Sequence, residues 1–500
     1  MKRILTTLLL LACSLPLWAQ KPMAEVDLTK MTFVRQSFVR NFYTSQKVMS
    51  QINMEGTNLF LPNSANLIVE GTPTLTQHGR TLNIATEQGP ATIRVGAFHP
   101  YLCYEAEFSA LNNGDEAGIT FYANEGEGKR IRIVYRNGEI VSLSNDDILA
   151  SKPIGECNKV HLRVQYTGVR FHVFNLRESG EADLLYSVEN DMRAVESCTT
   201  HSFGIYANGN ITLHKAQSAL TCGTGQADPQ IIQTTDGQPL IHDGRLYICF
   251  TTRGFERIFD SYQGIYSLDL ASYELRLEGA MFFGKGDGIM YGFHATKVVY
   301  NKETGEFMVI TTTHEDTHTL AYCSTKADLL QGVHYLECTE LVFPHSYTNN
   351  KGFNTEDPDF FYDAEAGKWR LAYCALKDKS YVTFLCESDN WNGPYTLIAE
   401  SNYNNNTGIR IVSVGGKRYV LSGGSDTTYY IYNYPSLRYE GVFQHQYSDG
   451  GRRGWPTIIP IQYGNYERYL WITFDRGAPT GRYSYGTLYF FLGDKMWKKE

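Results

Sequence analysis

The sequence predicts an all-β protein in which an antiparallel β-sandwich is followed by a five-bladed β-propeller. Three observations carry this prediction. The 500 residues include 35 tyrosines and 26 phenylalanines, and aromatic side chains favour pleated strands. The C-terminal half repeats one motif five times, whereas the N-terminal region alternates apolar and polar residues in short runs. Stretches with the composition of helices are scarce.

The N-terminus resembles a signal for export. Lys2-Arg3 precede an apolar run from Ile4 to Leu17, and Ala19-Gln20 forms an ordinary signal-peptidase junction. A second interpretation stays open, because Leu10-Leu11-Ala12-Cys13 resembles a lipobox that would leave a lipid anchor on Cys13. The run is too short to cross a bilayer. We therefore expect residues 1–19 to be a signal peptide, and the protein to be periplasmic or secreted without a membrane span.

Charge and cysteine content exclude several classes of function. The formal net charge is −8 with 20% charged residues, which leaves no basic footprint for nucleic acid. The ten cysteines show no CxxC or Cys/His zinc spacing, so we predict no metal site and no cofactor. Cys374 and Cys386 lie on consecutive predicted strands, where they could form a disulfide.

Residues 20–222 alternate apolar and polar positions in runs about ten residues apart, which is typical of an antiparallel sandwich. Asn137-Gly138 is a hairpin signal between two of these runs. The series resembles the concanavalin-like jelly-roll modules of carbohydrate-active enzymes. A linker around Thr221–Gly225, followed by Asp228-Pro229, separates this region from the repeats. The runs are Tyr101–Phe108, Ala117–Tyr122, Arg130–Tyr135, Val160–Tyr166 and Val169–Phe174.

Residues 228–500 contain the five repeats, each with a pair of apolar residues, a glycine and an aromatic-rich strand. Periods of roughly 40–50 residues built from short strands are typical of propeller blades, which bury their faces only against neighbouring blades. Because an unpaired outer strand would be exposed, we predict that Gln230–Gln233 completes the fifth blade. The apolar pairs are Leu240-Ile241, Val298-Val299, Phe360-Phe361, Ile411-Val412 and Ile458-Ile459.

Three motifs in the repeats resemble glycoside hydrolase family 43 and its five-bladed relatives. They are Asp236-Gly237-x-Pro239 with Asp243-Gly244-x-x-Tyr247, Ser267-x-Asp269-Leu270, and Glu356-Asp357-Pro358-Asp359 with Gly367-Lys368-Trp369. The resemblance covers about residues 229–495. It implies a glycosidase whose carboxylates lie at the propeller axis, with a base from blade one, a positioning aspartate from blade three and an acid from blade four.

The resemblance carries over to this chain only in part. Asp236 falls near the position of the base, and Asp357, followed by Pro358, matches the positioning aspartate. Blade four offers Thr407–Arg410, without a carboxylate for the acid. Glu356 or His294 could donate the proton instead. Two of these candidates also have a structural interpretation. Asp236 could be a turn residue beside a glycine, and His294 could be a hydrogen-bonded side chain.

Four further residues near the apolar pairs suggest what the pocket binds: Lys297, Arg410, Arg453 and Trp455. Arginine binds carboxylates with two parallel hydrogen bonds, so several cations at one axis indicate an acidic sugar. An alternative is that these cations balance Asp236, Glu356 and Asp357.

The sequence therefore predicts an exported glycoside hydrolase that acts on an oligosaccharide or polysaccharide. We expect exo action on side chains, because five blades enclose a narrow pocket. The cations near the axis suggest an acidic sugar as the substrate. The alternative is a catalytically inert glycan-binding propeller, which the missing blade-four acid favours. A protein-binding scaffold would instead need an exposed apolar patch.

Overall fold

The computed structural model describes most of the chain and shows it to be nearly all β. Apart from 40 strands, the described residues contain one 3-10 turn (Leu28–Lys30) and one short helix, α1 (Ser197–Thr200). None of the described helices has the length and apolarity needed to cross a bilayer. The signal segment, with Cys13, lies outside the described residues. These are residues 27–39, 47–52, 69–109, 111–124, 128–221, 223, 225–254, 261–313, 318–344, 354–404, 406–424, 428–445, 455–475 and 487–498.

Strand β1 (Thr32–Val39) is followed by two antiparallel sheets packed face to face. Their apolar faces share one core, in which the rings of Phe98, Tyr104, Phe121 and Tyr166 lie 4.8–6.3 Å apart. The predicted sandwich is therefore present, and its jelly-roll connectivity stays a prediction. Its strands are β2 (Lys47–Gln51), β3 (Val69–Glu70), β4 (Thr74–His78), β5 (Thr81–Ala85), β6 (Ala91–Ala97), β7 (Cys103–Ser109), β8 (Glu116–Ala123), β9 (Ile131–Arg136), β10 (Glu139–Ser144), β11 (Asp147–Pro153), β12 (Lys159–Tyr166), β13 (Arg170–Leu176), β14 (Ala182–Glu189), β15 (His201–Asn208) and β16 (Asn210–Leu220).

The predicted hairpin between β9 and β10 is confirmed. Asn137 and Gly138 have φ values of 46° and 77° and join two strands in antiparallel register. Two successive positive φ values define the tight turn that matches the twist of a hairpin, and asparagine followed by glycine accepts them at the lowest cost.

The described residues from Gly225 onward, together with β1, form the five predicted blades. Each inner strand lies against the next, and the fifth lies against the first, so the ring closes. From the axis outward the blades contain β17 (Gly225–Ile231), β20 (Arg245–Arg253), β21 (Tyr262–Asp269) and β22 (Leu275–Gly284); β23 (His294–Asn301), β24 (Glu306–Thr312), β25 (Leu320–Thr325) and β27 (Thr339–Glu340); β28 (Thr355–Asp363), β29 (Lys368–Lys377), β30 (Ser380–Ser388) and β31 (Thr396–Asn404); β32 (Asn406–Val414), β33 (Lys417–Gly424), β34 (Tyr429–Asn433) and β35 (Tyr439–Val442); and β37 (Thr457–Tyr463), β38 (Tyr466–Asp475), β39 (Thr487–Gly493) and β1.

Five short strands extend these blades. Three of them pair in parallel with strands of the blades: β26 (Gly332–Glu337) with β22, β18 (Gln233–Thr234) with β23, and β36 (Gln444–His445) with β1. The five are β18 (Gln233–Thr234), β19 (Ile241–His242), β26 (Gly332–Glu337), β36 (Gln444–His445) and β40 (Trp497–Lys498).

Strand β1 closes the ring, which corrects the prediction that Gln230–Gln233 would do so. Gln230 belongs to β17, the inner strand of blade one, whereas β1 pairs antiparallel with β39 as the fourth strand of blade five. Phe33 of β1 is fully buried against Phe443 and Trp471, with ring centroids 5.3 and 5.7 Å apart. This strand covers the edge that would otherwise remain open.

The sandwich is therefore inserted between two propeller strands, so β1 belongs to the propeller although the predicted division into residues 20–222 and 228–500 assigns it to the sandwich. The strand that completes blade five lies before the sandwich, and blade one begins at Gly225.

The sandwich also packs directly on blade one. His99 and Tyr101 contact Phe282 of β22, with ring centroids 4.8 and 4.7 Å apart. The backbone of Met290 donates a hydrogen bond to the carbonyl of Arg193 at 2.7 Å. A single apolar core runs through the sandwich and into blades one and five. The two parts therefore share buried surface, which a linker between independent domains would not provide.

Candidate functional site

Four of the five inner strands share the same irregularity. Asp228, Ala295, Asp357 and Gly408 have φ values of 56°, 51°, 63° and 69°, and the pairing register shifts at each of them. A positive φ is uncommon outside glycine, and such residues cluster at functional sites. We call the end of the ring marked by these four residues the proximal rim. The opposite end, near Tyr300, Phe361, Val412 and Ile459, is the distal rim.

Asp357 is buried at the proximal rim. Its Oδ2 accepts a hydrogen bond of 2.7 Å from the backbone of Gly408 and lies 3.4 Å from the Cys374 sulfur. Burial raises the pKa of Asp357 to about 7, and the negative charges of Glu356 and Asp228 add to this effect. Near neutral pH this carboxyl therefore exists in both protonation states.

Asp228 is the second buried carboxylate of this rim, and the sequence analysis did not assign it to the site. It occupies in blade one the position that Asp357 occupies in blade three, and each is followed by proline. Arg253 approaches its Oδ2 at 3.5 Å, a contact that stabilises the ionised form. The signal that could have revealed it is the repeated Asp-Pro step, which we interpreted as part of a linker.

Asp236, which the sequence predicts to be the base, lies apart from these two carboxylates. It follows β18, whose residues pair with Val299 and Tyr300 near the end of β23, and the Thr235 carbonyl accepts from the backbone of Tyr362. Asp236 thus lies at the distal rim, five residues along a strand from the level of Asp357, or roughly 17 Å at about 3.3 Å per residue. Its side chain is exposed and accepts a hydrogen bond from Thr234, the turn role that had been the alternative.

A shallow depression lies at the distal rim beside Asp236. It holds about 530 Å³ of space that includes open solvent, and its walls include Gln233, Phe361, Ile411 and Arg418. Arg418 is already paired with Asp363 at 2.8 Å. None of the proximal-rim carboxylates lines this depression.

His294 and Glu356, the alternative proton donors, do lie at the proximal rim, together with His318 and Tyr381. The Tyr381 hydroxyl donates to Glu356 Oε1 at 2.5 Å, and His318 Nδ1 contacts the same oxygen at 3.0 Å. The rings of His294 and His318 are 5.1 Å apart. Ligand atoms of the two histidines and Glu356 lie within 4.8 Å of one another, a spacing that could hold a divalent cation. The direct contacts to Glu356 make the group a hydrogen-bonded cluster in this structure.

Beneath the rim, the predicted binding residues form a polar layer across the axis. Lys297 Nζ lies 2.9 Å from Asp359 Oδ1, and burial lowers the pKa of Lys297 while this partner opposes the shift. Arg410 stacks on the indole of Trp455 at 4.2 Å and donates to Thr457 Oγ1 at 3.3 Å. The structure thus brings Lys297, Arg410 and Trp455 together, and Arg453 lies outside the described residues.

One nitrogen of the Arg410 guanidinium could bind a further partner. Its guanidinium is buried, which lowers its pKa to about 10 against the opposing charges of Asp359 and Asp357. Nη2 has no hydrogen-bond partner among the described residues. Because a buried charged donor is costly to leave unpaired, this atom is the clearest candidate for contacting a ligand.

Asp357→Asn is expected to stabilise the protein more at high pH than at low pH. The folded protein binds the Asp357 proton with a pKa of about 7, whereas the ordinary value is 3.8. The unfolded chain therefore releases this proton first, and the contribution of Asp357 to stability falls as pH rises between these values. Denaturant unfolding of both proteins at about pH 5 and about pH 8 measures the difference. An equal difference at the two pH values would contradict the raised pKa.

Comparisons with known proteins find similar solved structures at low sequence identity. No family model and no curated protein matches it. An exo-β-1,3-galactanase from Clostridium thermocellum is 16% identical over 54% of this chain and 62% of its own, with a TM-score of 0.38. A family 117 glycoside hydrolase from Zobellia galactanivorans is 12% identical over 54% and 85%, with a TM-score of 0.39. A levansucrase from Bacillus subtilis is 11% identical over 55% and 88%, also with a TM-score of 0.39.

Proposed function

We propose that this protein cleaves glycosidic bonds at the proximal rim, with Asp228 and Asp357 as the reacting carboxyl groups. The observation that carries the proposal is their shared geometry. Both are buried, both have positive φ, and they occupy equivalent bulges on the inner strands of blades one and three. Glycoside cleavage needs one carboxyl that donates a proton and one carboxylate that acts as base or nucleophile.

The surroundings of the two groups suggest how the roles divide. Asp228 faces Arg253, which favours the ionised form that a base or nucleophile requires. Asp357 has a pKa near 7, in the range that suits a proton donor under neutral conditions. Glu356, one of the two donors proposed from the sequence, then has a supporting role, because its charge helps to raise the pKa of Asp357. The other, His294, lies near Glu356 at the same rim.

The experiment is an assay of the full chain on a panel of oligosaccharides and polysaccharides, with released sugar as the readout. Exo action predicts that one sugar or short unit appears from the start, rather than a range of fragments. Asp357→Asn serves as the matched inactive protein. If the protein binds members of a broad panel but releases sugar from none of them, the hydrolase proposal is wrong and only the glycan-binding function remains.

That second function, glycan binding without catalysis, is favoured by one observation. Gly408 occupies in blade four the position at which blades one and three carry aspartates, and its backbone donates to Asp357. Blade four therefore contributes a hydrogen bond to the site in place of a carboxylate. Calorimetric binding of an oligosaccharide that the protein never cleaves would support this alternative.

An acidic sugar as substrate depends on Arg410, because Lys297 is already paired with Asp359. Arg410→Gln is expected to weaken turnover or binding of a uronate-containing oligosaccharide by roughly 10–100-fold, since a hydrogen bond between charged groups contributes about 1.5–3 kcal/mol. The corresponding neutral oligosaccharide should be affected much less. Equal losses on both would argue that Arg410 only supports the fold through Trp455.

We also propose that the protein acts outside the cytoplasm, where polysaccharides are found. The support is the apolar N-terminal segment with its two cleavage junctions. Mass spectrometry of the mature N-terminus from the producing cell tests this. A chain that begins near Gln20 indicates a free exported protein, whereas one that begins with a lipid on Cys13 indicates anchoring. An intact Met1 would overturn export.

A further inference from the structure

Two cysteines on neighbouring segments of blade two lie opposite each other. Strands β25 and β27 are antiparallel, with Ala321 opposite Glu340 and Tyr322 opposite Thr339. The next step of the same register places Cys323 opposite Cys338. Residues directly opposite in antiparallel pairs have Cα atoms roughly 4.5–5.5 Å apart, which falls within the range of about 4.4–6.8 Å that disulfides require.

Independent contacts support the closeness of the two thiols. Both side chains belong to the apolar cluster between blades one and two, with Cys323 buried and Cys338 half-buried. A hydrogen bond between the two thiols, together with burial, raises the pKa of Cys338. The backbone of Cys338 donates to the carbonyl of Gly284 at 2.9 Å, which fixes its position.

The pair predicted from the sequence has no such geometry. Cys374 lies opposite Thr383, and Cys386 lies opposite Leu371. Their side chains also enter different apolar clusters. Among the cysteines that the structure describes, no other two are opposite each other in a strand pair.

We propose that Cys323 and Cys338 form a disulfide when the protein meets a disulfide oxidant such as glutathione disulfide. One of the two thiols loses its proton, attacks one sulfur of the oxidant and releases one glutathione. The other thiol then loses its proton, attacks the protein sulfur of the mixed disulfide and releases the second glutathione. The two cysteines are oxidised, and glutathione disulfide is reduced to two thiols. The inference does not depend on the proposed glycosidase activity.

The disulfide would join the two ends of a segment that leaves blade two and pairs with blade one. After β25, residues 332–337 leave blade two and pair in parallel with β22, the outer strand of blade one, before the chain returns at β27. β22 also carries Phe282, on which the sandwich packs. A disulfide between the two ends of this segment would therefore hold blade one, blade two and the sandwich in their folded arrangement.

The test uses the purified full chain after incubation with glutathione disulfide at mildly alkaline pH. Free thiols are alkylated without reduction, and the digested peptides are mapped by mass spectrometry. We expect one cross-linked peptide pair that contains Cys323 and Cys338, and irreversible thermal unfolding slowed about tenfold or more relative to the reduced protein. Full alkylation of both thiols, or a bond from either to another cysteine, would overturn the proposal.

Two variants separate the disulfide from general effects of losing a thiol. Cys338→Ala should lose both the cross-linked peptide and the slower unfolding. Cys249→Ala removes another buried thiol, on the inner half of blade one, and should keep both. If Cys338→Ala does not fold, the peptide map of the unaltered protein still decides the question.

Discussion

A truncated chain that begins at Asp228 is expected to aggregate or remain unfolded, because it lacks the strand that completes the fifth blade. Strand β1 pairs with β39 and buries Phe33 beneath Trp471 and Phe443. Without β1, the outer edge of β39 would present unpaired backbone groups and the aromatic cluster of blade five. The same truncation also removes the sandwich, which shares a core with blade one.

A single substitution tests the role of β1 without removing the sandwich. Phe33→Ala in the full chain should lower the free energy of unfolding by about 3–5 kcal/mol, the usual effect of removing a buried phenylalanine side chain. Gln36→Ala, at an exposed position of the same strand, should change it by less than about 0.5 kcal/mol. Denaturant unfolding measures both variants. Similar small losses in the two would show that β1 does not form part of the blade.

The sequence identified the ring but not its closure, and the reason is physical. Blades two to five each carry an apolar pair on the inner strand, such as Val298-Val299 and Ile458-Ile459, and burial of that strand imposes the repeat. The closing strand β1 has no such constraint, because an outer strand needs only one buried face. Its partner β39 begins at Thr487, so the whole sandwich and most of the ring lie between the two strands in the sequence. No local signal therefore connects them.

The sequence predicted only part of the candidate site, because the repeat pattern misplaces the inner strand of blade one. In blade one, the repeat pattern indicates Leu240-Ile241 as the inner pair, whereas the structure places Ile241 on β19, paired with β20, and Ile231 on the inner strand. This error in the register of blade one moved the carboxylate expected at the axis from Asp228 to Asp236. In blades two to four the register was right, and Asp357, Glu356, His294 and Arg410 all lie at or just below the proximal rim.

The contact between Arg410 and Trp455 shows what the sequence could and could not say. Both residues were assigned to the axis from their distance to an apolar pair. The sequence did not indicate that the indole would be covered by the guanidinium, at 4.2 Å, and would therefore be closed to a sugar ring. Side-chain partners across the axis come from different blades, and only the folded ring brings them together.

Asp228→Asn and Asp357→Asn are each expected to reduce turnover by roughly 10²–10⁴-fold, whereas Asp236→Asn should leave it within about threefold of the unaltered protein. The asparagine side chain has nearly the same shape but cannot donate or accept the proton that glycoside cleavage requires. The first two carboxyl groups lie at the proximal rim, and Asp236 lies exposed at the distal rim, so it is a matched control for the chemistry of the substitution.

The double variant Asp228→Asn/Asp357→Asn sharpens this test. Two groups that act in one reaction lose little more activity together than the more damaging single change, whereas independent groups lose the product of both effects. Calorimetry of oligosaccharide binding to the same proteins should show affinity retained, since the substitutions remove proton transfer and keep the shape of the site. Loss of turnover in Asp236→Asn, with Asp228→Asn and Asp357→Asn fully active, would place the reaction at the distal rim. The bulged aspartates would then serve only to shape the start of their strands.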